Sequence, residues 1–313
     1  MKLGISHQRP ADFSDARFRY LRTMGVETME VRLESHDATF ENLRDIRDRV
    51  KGAGFELHEV MLDDLYSAAA FTLGLPERDL VIDRLCAFIR DLGRLGIRYT
   101  TYAWHTGGAY QTGTTVSRGA TTRLFRNADA QALPDAFAST YDDDAMWANY
   151  RYFMDRVLPV AQEAGVHLQL HPNDPPVNHQ GVARIFRSTD AFREAIDIAG
   201  GDTHAGILFC VGTWSEMSGA NGRGEDIVAA IREFGASGHI HQVHFRNTSA
   251  PLPDFHETFP DNGYVDLVAV MRALAEVGFD GIVVPDHVPG DGRVEEAYTF
   301  GYIRALIQAA VSG

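Results

Sequence analysis

Eight short apolar runs constrain this chain more than any other feature. Each is bounded by turn residues, and each is followed by a stretch with apolar side chains at helical spacing. They fall at residues 2–6, 26–31, 55–61, 99–104, 166–171, 205–210, 240–245 and 281–286. A short apolar run closed by turn residues reads as a buried strand, and recurrence at i, i+3 and i+4 reads as the apolar face of a helix. The clearest such face is Leu80, Ile82, Leu85, Phe88, Ile89, Leu92 and Leu95, stopped by Gly96. Strand and helix in strict alternation predict an α/β fold, a single (β/α)8 TIM barrel filling residues 1–313. The rhythm breaks once. Residues 105–144 are rich in Gly, Thr, Ala and Asp and show no clear periodicity. A loop of this length is commonly functional or disordered. After a fourth strand it lies over the C-terminal face of a barrel, and we read it as a lid.

Composition sets what such a barrel can meet. A formal net charge of −14 excludes nucleic acid and anionic membrane surfaces, both of which need a basic face. No apolar run is long enough to span a bilayer. The two cysteines exclude a disulfide framework. The opening Met1-Lys2-Leu3-Gly4-Ile5-Ser6 lacks the apolar core of a signal peptide. A reducing, cytoplasmic compartment and a small-molecule partner are expected, and a homo-oligomer is left open.

The last four runs carry ligand chemistry where they stop. They end in His171, Cys210, His244 and Asp286. Barrels of this kind place their active sites at the C-terminal ends of the strands. Two imidazoles, a thiolate and a carboxylate suit a divalent transition metal. Taken singly, each has a duller explanation: a buried histidine is ordinarily a hydrogen-bonded core residue, and a cysteine after Ile-Leu-Phe a small hydrophobe. Four at matching strand ends make a metal site the better account. Cys86, inside a helical pattern, is expected to be inert packing. By strand alternation His241 points away from His244, toward the helices. His7, His36, His58, His105, His179, His204 and His239 have no partner spacing and read as surface or core residues. Arg246, Asn247, Arg118 and His256 are the candidate substrate contacts, the arginines because guanidinium binds carboxylate bidentately. His256-Glu257 suits a pair that supports ligand histidines and equally one that only stiffens its loop. Arg184, after the fifth strand, is a further candidate for holding a substrate carboxylate, with an ordinary surface arginine the better reading, and Asn221-Gly222-Arg223-Gly224 reads as a plain loop rather than a phosphate cradle. No dinucleotide fingerprint, P-loop or nucleophile elbow is present.

Five strings in the C-terminal half resemble the mannonate dehydratase family. They are Leu170-His171-Pro172-Asn173-Asp174-Pro175-Pro176, Phe209-Cys210-Val211-Gly212-Thr213, Val243-His244-Phe245-Arg246-Asn247, Phe255-His256-Glu257-Thr258-Phe259 and Pro285-Asp286-His287. In the N-terminal half the resemblance is weak, carried mainly by Arg118-Gly119-Ala120. It implies a xylose-isomerase-like barrel and metal ligation by the same His171, Cys210, His244 and Asp286. It further implies a Mn²⁺ ion, with Fe²⁺ or Mg²⁺ as alternatives, and His287 as an acid/base. The reaction implied is loss of water from D-mannonate to give 2-keto-3-deoxy-D-gluconate, in hexuronate degradation. The family's catalytic tyrosine follows a stretch that Val288-Pro289-Gly290-Asp291-Gly292-Arg293 does not match, so Tyr298 and Tyr302 both stand as candidates. Two rivals remain: a metal-dependent sugar isomerase or epimerase on a similar barrel, and a non-catalytic sugar-acid binding protein.

Overall fold

A computed structural model describes residues 1–219 and 224–311, so Asn221-Gly222-Arg223 lies outside the described residues. Among the described residues twelve strands run in chain order: β1 (Lys2–Gln8), β2 (Thr28–Leu33), β3 (Glu56–Leu62), β4 (Tyr99–Ala103), β5 (Gly113–Ser117), β6 (Ala120–Arg126), β7 (His167–His171), β8 (Ala205–Cys210), β9 (Ile240–His244), β10 (Asn247–Thr248), β11 (Asp254–Thr258) and β12 (Ile282–Val284). Eight of them close a barrel in the order β1-β12-β9-β8-β7-β4-β3-β2, all pairing in parallel. All eight expected strands are present.

Alternation divides the barrel strands into two faces. Met29, Val31, Leu33, Leu168, Leu170, Ile207, Phe209, Val243 and Val283 join the hydrophobic layer beneath the helices. Their neighbours turn inward. The helices begin where side chains cap them: Ser14, Thr39, Asp142, Ser188, Asp226 and Asp266 each accept a backbone N–H of the first turn. Among the described residues, no helix is long and apolar enough to cross a membrane.

The stretch expected to be an aperiodic lid is folded. β5 and β6 form a hairpin that joins β11 and β10 in a second, antiparallel sheet of order β10-β11-β6-β5. Ser117 pairs with Ala120. The two residues between them, Arg118 and Gly119, both have positive φ, 49° and 89°. That is the backbone of a type I′ hairpin turn. Arg118 is therefore a turn residue at the tip of this sheet.

Two register shifts alter the barrel floor. Met29 and Glu30 of β2 face Leu57 and Glu59 of β3, leaving His58 as an extra residue. Ile207 and Leu208 of β8 face Ile240 and Gln242 of β9, leaving His241 extra. A bulge breaks the alternation, so His241 does not follow the parity that sent it toward the helices. His58 stacks on Tyr99 at 4.3 Å, and the His241 ring lies 5.6 Å from Tyr99 and 5.0 Å from His167. Burial lowers both His58 and His241 to about 3.

Candidate metal centre and active site

β7, β8 and β9 end with side chains turned into the barrel, and Asp286 follows two residues after β12. Ligand atoms of His171, Cys210 and His244 lie within 4.8 Å of one another. Asp286 closes against them. Its Oδ2 is 3.7 Å from Cys210 Sγ, and its Oδ1 is 3.2 Å from His244 Nδ1. His171 Nδ1 lies 2.7 Å from the Pro172 carbonyl, which fixes that nitrogen as the donor and leaves Nε2 with a lone pair. His244 Nδ1 is buried with no hydrogen-bond partner. Thr213 donates to Cys210 Sγ from Oγ1 at 3.1 Å and from its backbone N at 3.4 Å, contacts that suit a thiolate.

Around these four is a buried lattice of charge. Arg246 donates through Nε to Asp286 at 2.8 Å, through Nη1 to Glu216 at 2.8 Å and through Nη2 to Asp174 at 2.6 Å. Arg123 of β6 donates to Asp174 at 2.5 Å and to Glu257 at 3.2 Å. Gly212 makes room for this: a Cβ there would lie 2.4 Å from the Arg246 guanidinium. Burial would raise Asp174, but the two guanidiniums hold it well below the usual carboxylate range. Burial and the Asp174 charge push Glu216 up. Every nitrogen of Arg246 is thus committed to protein carboxylates or Thr213, which overturns its reading as a substrate contact.

Above the ligands sit His287, Glu257 and Tyr110. His287 Nδ1 is 2.8 Å from Glu257 Oε1 and 2.7 Å from Tyr110 Oη. Tyr110 donates to Glu257 at 3.3 Å and stacks under Arg123, whose guanidinium is 3.6 Å from the ring centroid. Burial lowers His287, but Asp286 and Glu257 outweigh it and raise the imidazole overall. Burial, then Asp174 and Glu257, hold the Tyr110 phenol well above its ordinary value. Burial would raise Glu257; His287 and Arg246 bring it to about 2.

These groups open into a cavity of about 210 Å³. Its lining includes His7, Glu30, Arg32, Tyr66, His105 and Tyr110, none of them among the site candidates read from sequence. His7 and His105 are wall residues rather than isolated ones. His7 has φ of 59°, a left-handed conformation uncommon outside glycine. The strand-end rule that singled out His171, Cys210, His244 and Asp286 would have singled out both, since His7 lies at the end of β1 and His105 just past β4.

Other expected contacts stand elsewhere. Arg118 pairs with Asp261 and lies over Phe259 and Tyr298, away from the cavity lining. Asn247 donates to the Pro260 and Val265 carbonyls and so braces a turn. On β11, Glu257 turns in and His256 does not, leaving His256 half-buried. Tyr298, 40% exposed, packs edge-on against Phe259, and Tyr302 is partly buried against the core; neither lines the cavity. Tyr110, inside the insertion, is the tyrosine beside His287. Arg184 is not a surface residue: it is 1% exposed and donates to the Gly107 carbonyl.

Comparison with known proteins places this geometry. Residues 126–311 match the family described as D-mannonate dehydratase (UxuA). The chain is 25% identical to mannonate dehydratase of Streptococcus suis (strain 05ZYH33), covering 86% of this chain and 82% of that protein. It is 25% identical to that of Streptococcus agalactiae serotype V, covering 87% of each. The crystal structure of mannonate dehydratase from Streptococcus suis serotype 2 superposes with a TM-score of 0.86 at 22% identity, over 100% of this chain and 96% of that one. A D-psicose 3-epimerase from Clostridium cellulolyticum H10 shares the barrel at a TM-score of 0.62 and 15% identity, over 100% of this chain and 97% of that one. The chain belongs to the D-mannonate dehydratase family and is a sugar-acid dehydratase, a hydro-lyase built on a (β/α)8 barrel.

Proposed function

We propose that the chain dehydrates a six-carbon aldonic acid, D-mannonate, to 2-keto-3-deoxy-D-gluconate, with a divalent ion of the Mn²⁺ class held by His171, Cys210, His244 and Asp286. The observation that carries this reading is the convergence of the three ligand atoms within 4.8 Å, beneath the His287–Glu257 pair. The donor set fits the ion. His171 Nε2 is left with a lone pair by the Nδ1 contact to the Pro172 carbonyl, His244 and Asp286 face each other at 3.2 Å, Cys210 is a sulfur donor, and the surrounding carboxylates outnumber the guanidiniums. Mn²⁺ is favoured over Fe²⁺ and Mg²⁺ only by the resemblance; the thiolate argues against Mg²⁺.

When bound, such an ion supplies Lewis acidity that makes the proton beside a carboxylate easier to remove. The side chains do the rest. Glu257 holds His287 Nδ1 as a donor, so Nε2 is the basic nitrogen that takes the C2 proton. Tyr110, kept protonated by its surroundings, gives a proton to the departing C3 hydroxyl. The folded insertion carries Tyr110 across the mouth and limits water. The resulting enol takes a proton at C3 and becomes the ketone. The test is turnover of aldonic acids by Mn²⁺-loaded protein in heavy water. The product should be one water lighter than the substrate and carry one deuterium at C3. Ketose products of unchanged mass, with no aldonate dehydrated, would favour an isomerase instead.

A further inference from the structure

The proposed reaction occupies the mouth above β7, β8, β9 and β12 and leaves the substrate's remaining carbons to the opposite wall. The barrel order sets β2 directly across from β8, the strand that ends in Cys210. On β2, Glu30 and Arg32 are two residues apart and so share the inward face, and both line the cavity.

Their polar atoms are only partly used. Glu30 is 4% exposed. Its Oε1 accepts from the His7 backbone N–H at 3.3 Å and from Arg32 Nε at 3.1 Å, while Oε2 has no hydrogen-bond partner among the described residues. Arg32 Nη1 stops 3.6 Å from Asp63, beyond hydrogen-bond range, and Nη2 has no partner among the described residues. The cavity wall thus offers a carboxylate oxygen and guanidinium N–H groups side by side, with their charges balanced. A carboxylate accepts from hydroxyls, and a guanidinium only donates. Adjacent hydroxyls on a carbon chain present both requirements at once. A second anionic group would instead meet Glu30. The wall begins close to the chemistry, since the His7 ring is 6.1 Å from the His244 ring and 6.2 Å from that of His287.

We propose that Glu30 and Arg32 are the specificity residues of this dehydratase, binding the hydroxyl tail beyond the reacting carbons. This rests on the reading of the substrate as an aldonic acid. The test compares a hexonate with a tetronate, which keeps the reacting carbons and lacks most of the tail. Calorimetric Kd and steady-state turnover are measured on Mn²⁺-loaded wild type, Glu30→Gln, Arg32→Met and Arg32→Lys, with metal content checked for each. Glu30→Gln and Arg32→Met should raise KM and Kd for the hexonate about tenfold or more, with kcat within about threefold. The tetronate constants should move less than about twofold, and Arg32→Lys should recover part of the loss. Equal weakening of both acids, or no change in either, overturns the assignment. If wild type dehydrates no aldonate, the proposed function falls. The Kd values then decide the inference alone, and it also falls if wild type binds hexonate no better than tetronate.

Discussion

Around the barrel mouth, β7, β8, β9 and β12 end in or beside His171, Cys210, His244 and Asp286, while β1 to β4 bring His7, Arg32, Tyr66 and His105 to the same cavity. The two arcs are built differently. Behind the first stand Arg246 and Arg123, tied to Asp174, Glu216 and Glu257 by buried contacts. Behind the second stands buried Glu30 with half-buried Arg32, which also faces Asp63 at 3.6 Å, and both line the cavity. Charges fixed on all sides can orient ligands and reacting groups without reorganising. A pair with free donors and acceptors is suited to reading a substrate. The family match, residues 126–311, contains His171, Cys210, His244 and Asp286 and none of the second arc's residues, so the proposed recognition role rests on the geometry of this chain.

The sharpest break between the arcs should come from a single sulfur. Removing a group that merely supports a ligand costs about 10–100-fold in metal affinity. Cys210→Ser replaces a proposed ligand itself and should exceed about 100-fold, with turnover lost in proportion. Cys86, buried in a helix where its sulfur lies 3.9 Å from the Arg156 carbonyl, should tolerate serine without loss of metal. Elemental analysis of both variants checks this, and equal metal content would remove Cys210 from the ligand set.

The arcs also differed in how far the sequence revealed them. His171, Cys210, His244 and Asp286 stood out because each interrupts an apolar run. Glu30 and Arg32 sit inside Thr28-Met29-Glu30-Val31-Arg32-Leu33, whose alternation reads equally as a strand with one face in water. In a closed barrel that polar face is the cavity. Tyr110 is hidden for another reason: the insertion reads as aperiodic, although Arg118-Gly119 between two Thr-rich runs fits a hairpin turn. Arg246 is ambiguous in sequence because a guanidinium near a ligand set suits substrate and buried carboxylates equally, and only the fold commits its nitrogens to the latter.

A second prediction separates His287 from the tyrosines. General acid–base groups contribute about 10²–10⁴-fold. His287→Asn should lower kcat within that range while keeping the metal. Tyr110→Phe should fall near its lower end, about 10²-fold, because His287 and Glu257 remain in place. Tyr298→Phe and Tyr302→Phe should stay within about threefold, as expected for side chains off the cavity. Comparable losses at Tyr298 and Tyr110 would mean that the last helix, rather than the insertion, supplies the tyrosine.

Below the mouth the contrast between arcs disappears. At the floor both arcs carry a bulge that leaves a histidine extra, His58 on β3 and His241 on β9. Both are neutral in the fold, lowered by burial from 6.5 to about 3. Below pH 6.5 the unfolded chain takes up these protons and the folded chain does not. Stability is therefore lost as pH falls from 6.5 toward 3, on the order of 2 kcal/mol per imidazole by about pH 4.5. His241→Gln should lose less stability than wild type between about pH 7 and pH 4.5 in thermal melts. Parallel losses in the two proteins would show that the floor histidines are not what acid attacks.

The smallest effect is expected at Arg118, and it tests whether the insertion is a scaffold or a moving contact. Arg118 sits at the first position of a type I′ turn with φ of 49°. Asn followed by Gly is favoured there, because Asn tolerates the left-handed region. Arg118→Asn therefore relieves backbone strain. It also removes an exposed pair with Asp261 and a stacking contact over Phe259 and Tyr298, and such surface contacts contribute little. These effects oppose each other, so the thermal midpoint should move by no more than about two degrees. KM for the hexonate should stay within about twofold, since Glu30 and Arg32, not the hairpin tip, meet the substrate. A tenfold rise in KM would mean that the tip swings down over the mouth during turnover. Recognition would then be shared between the second arc and the insertion.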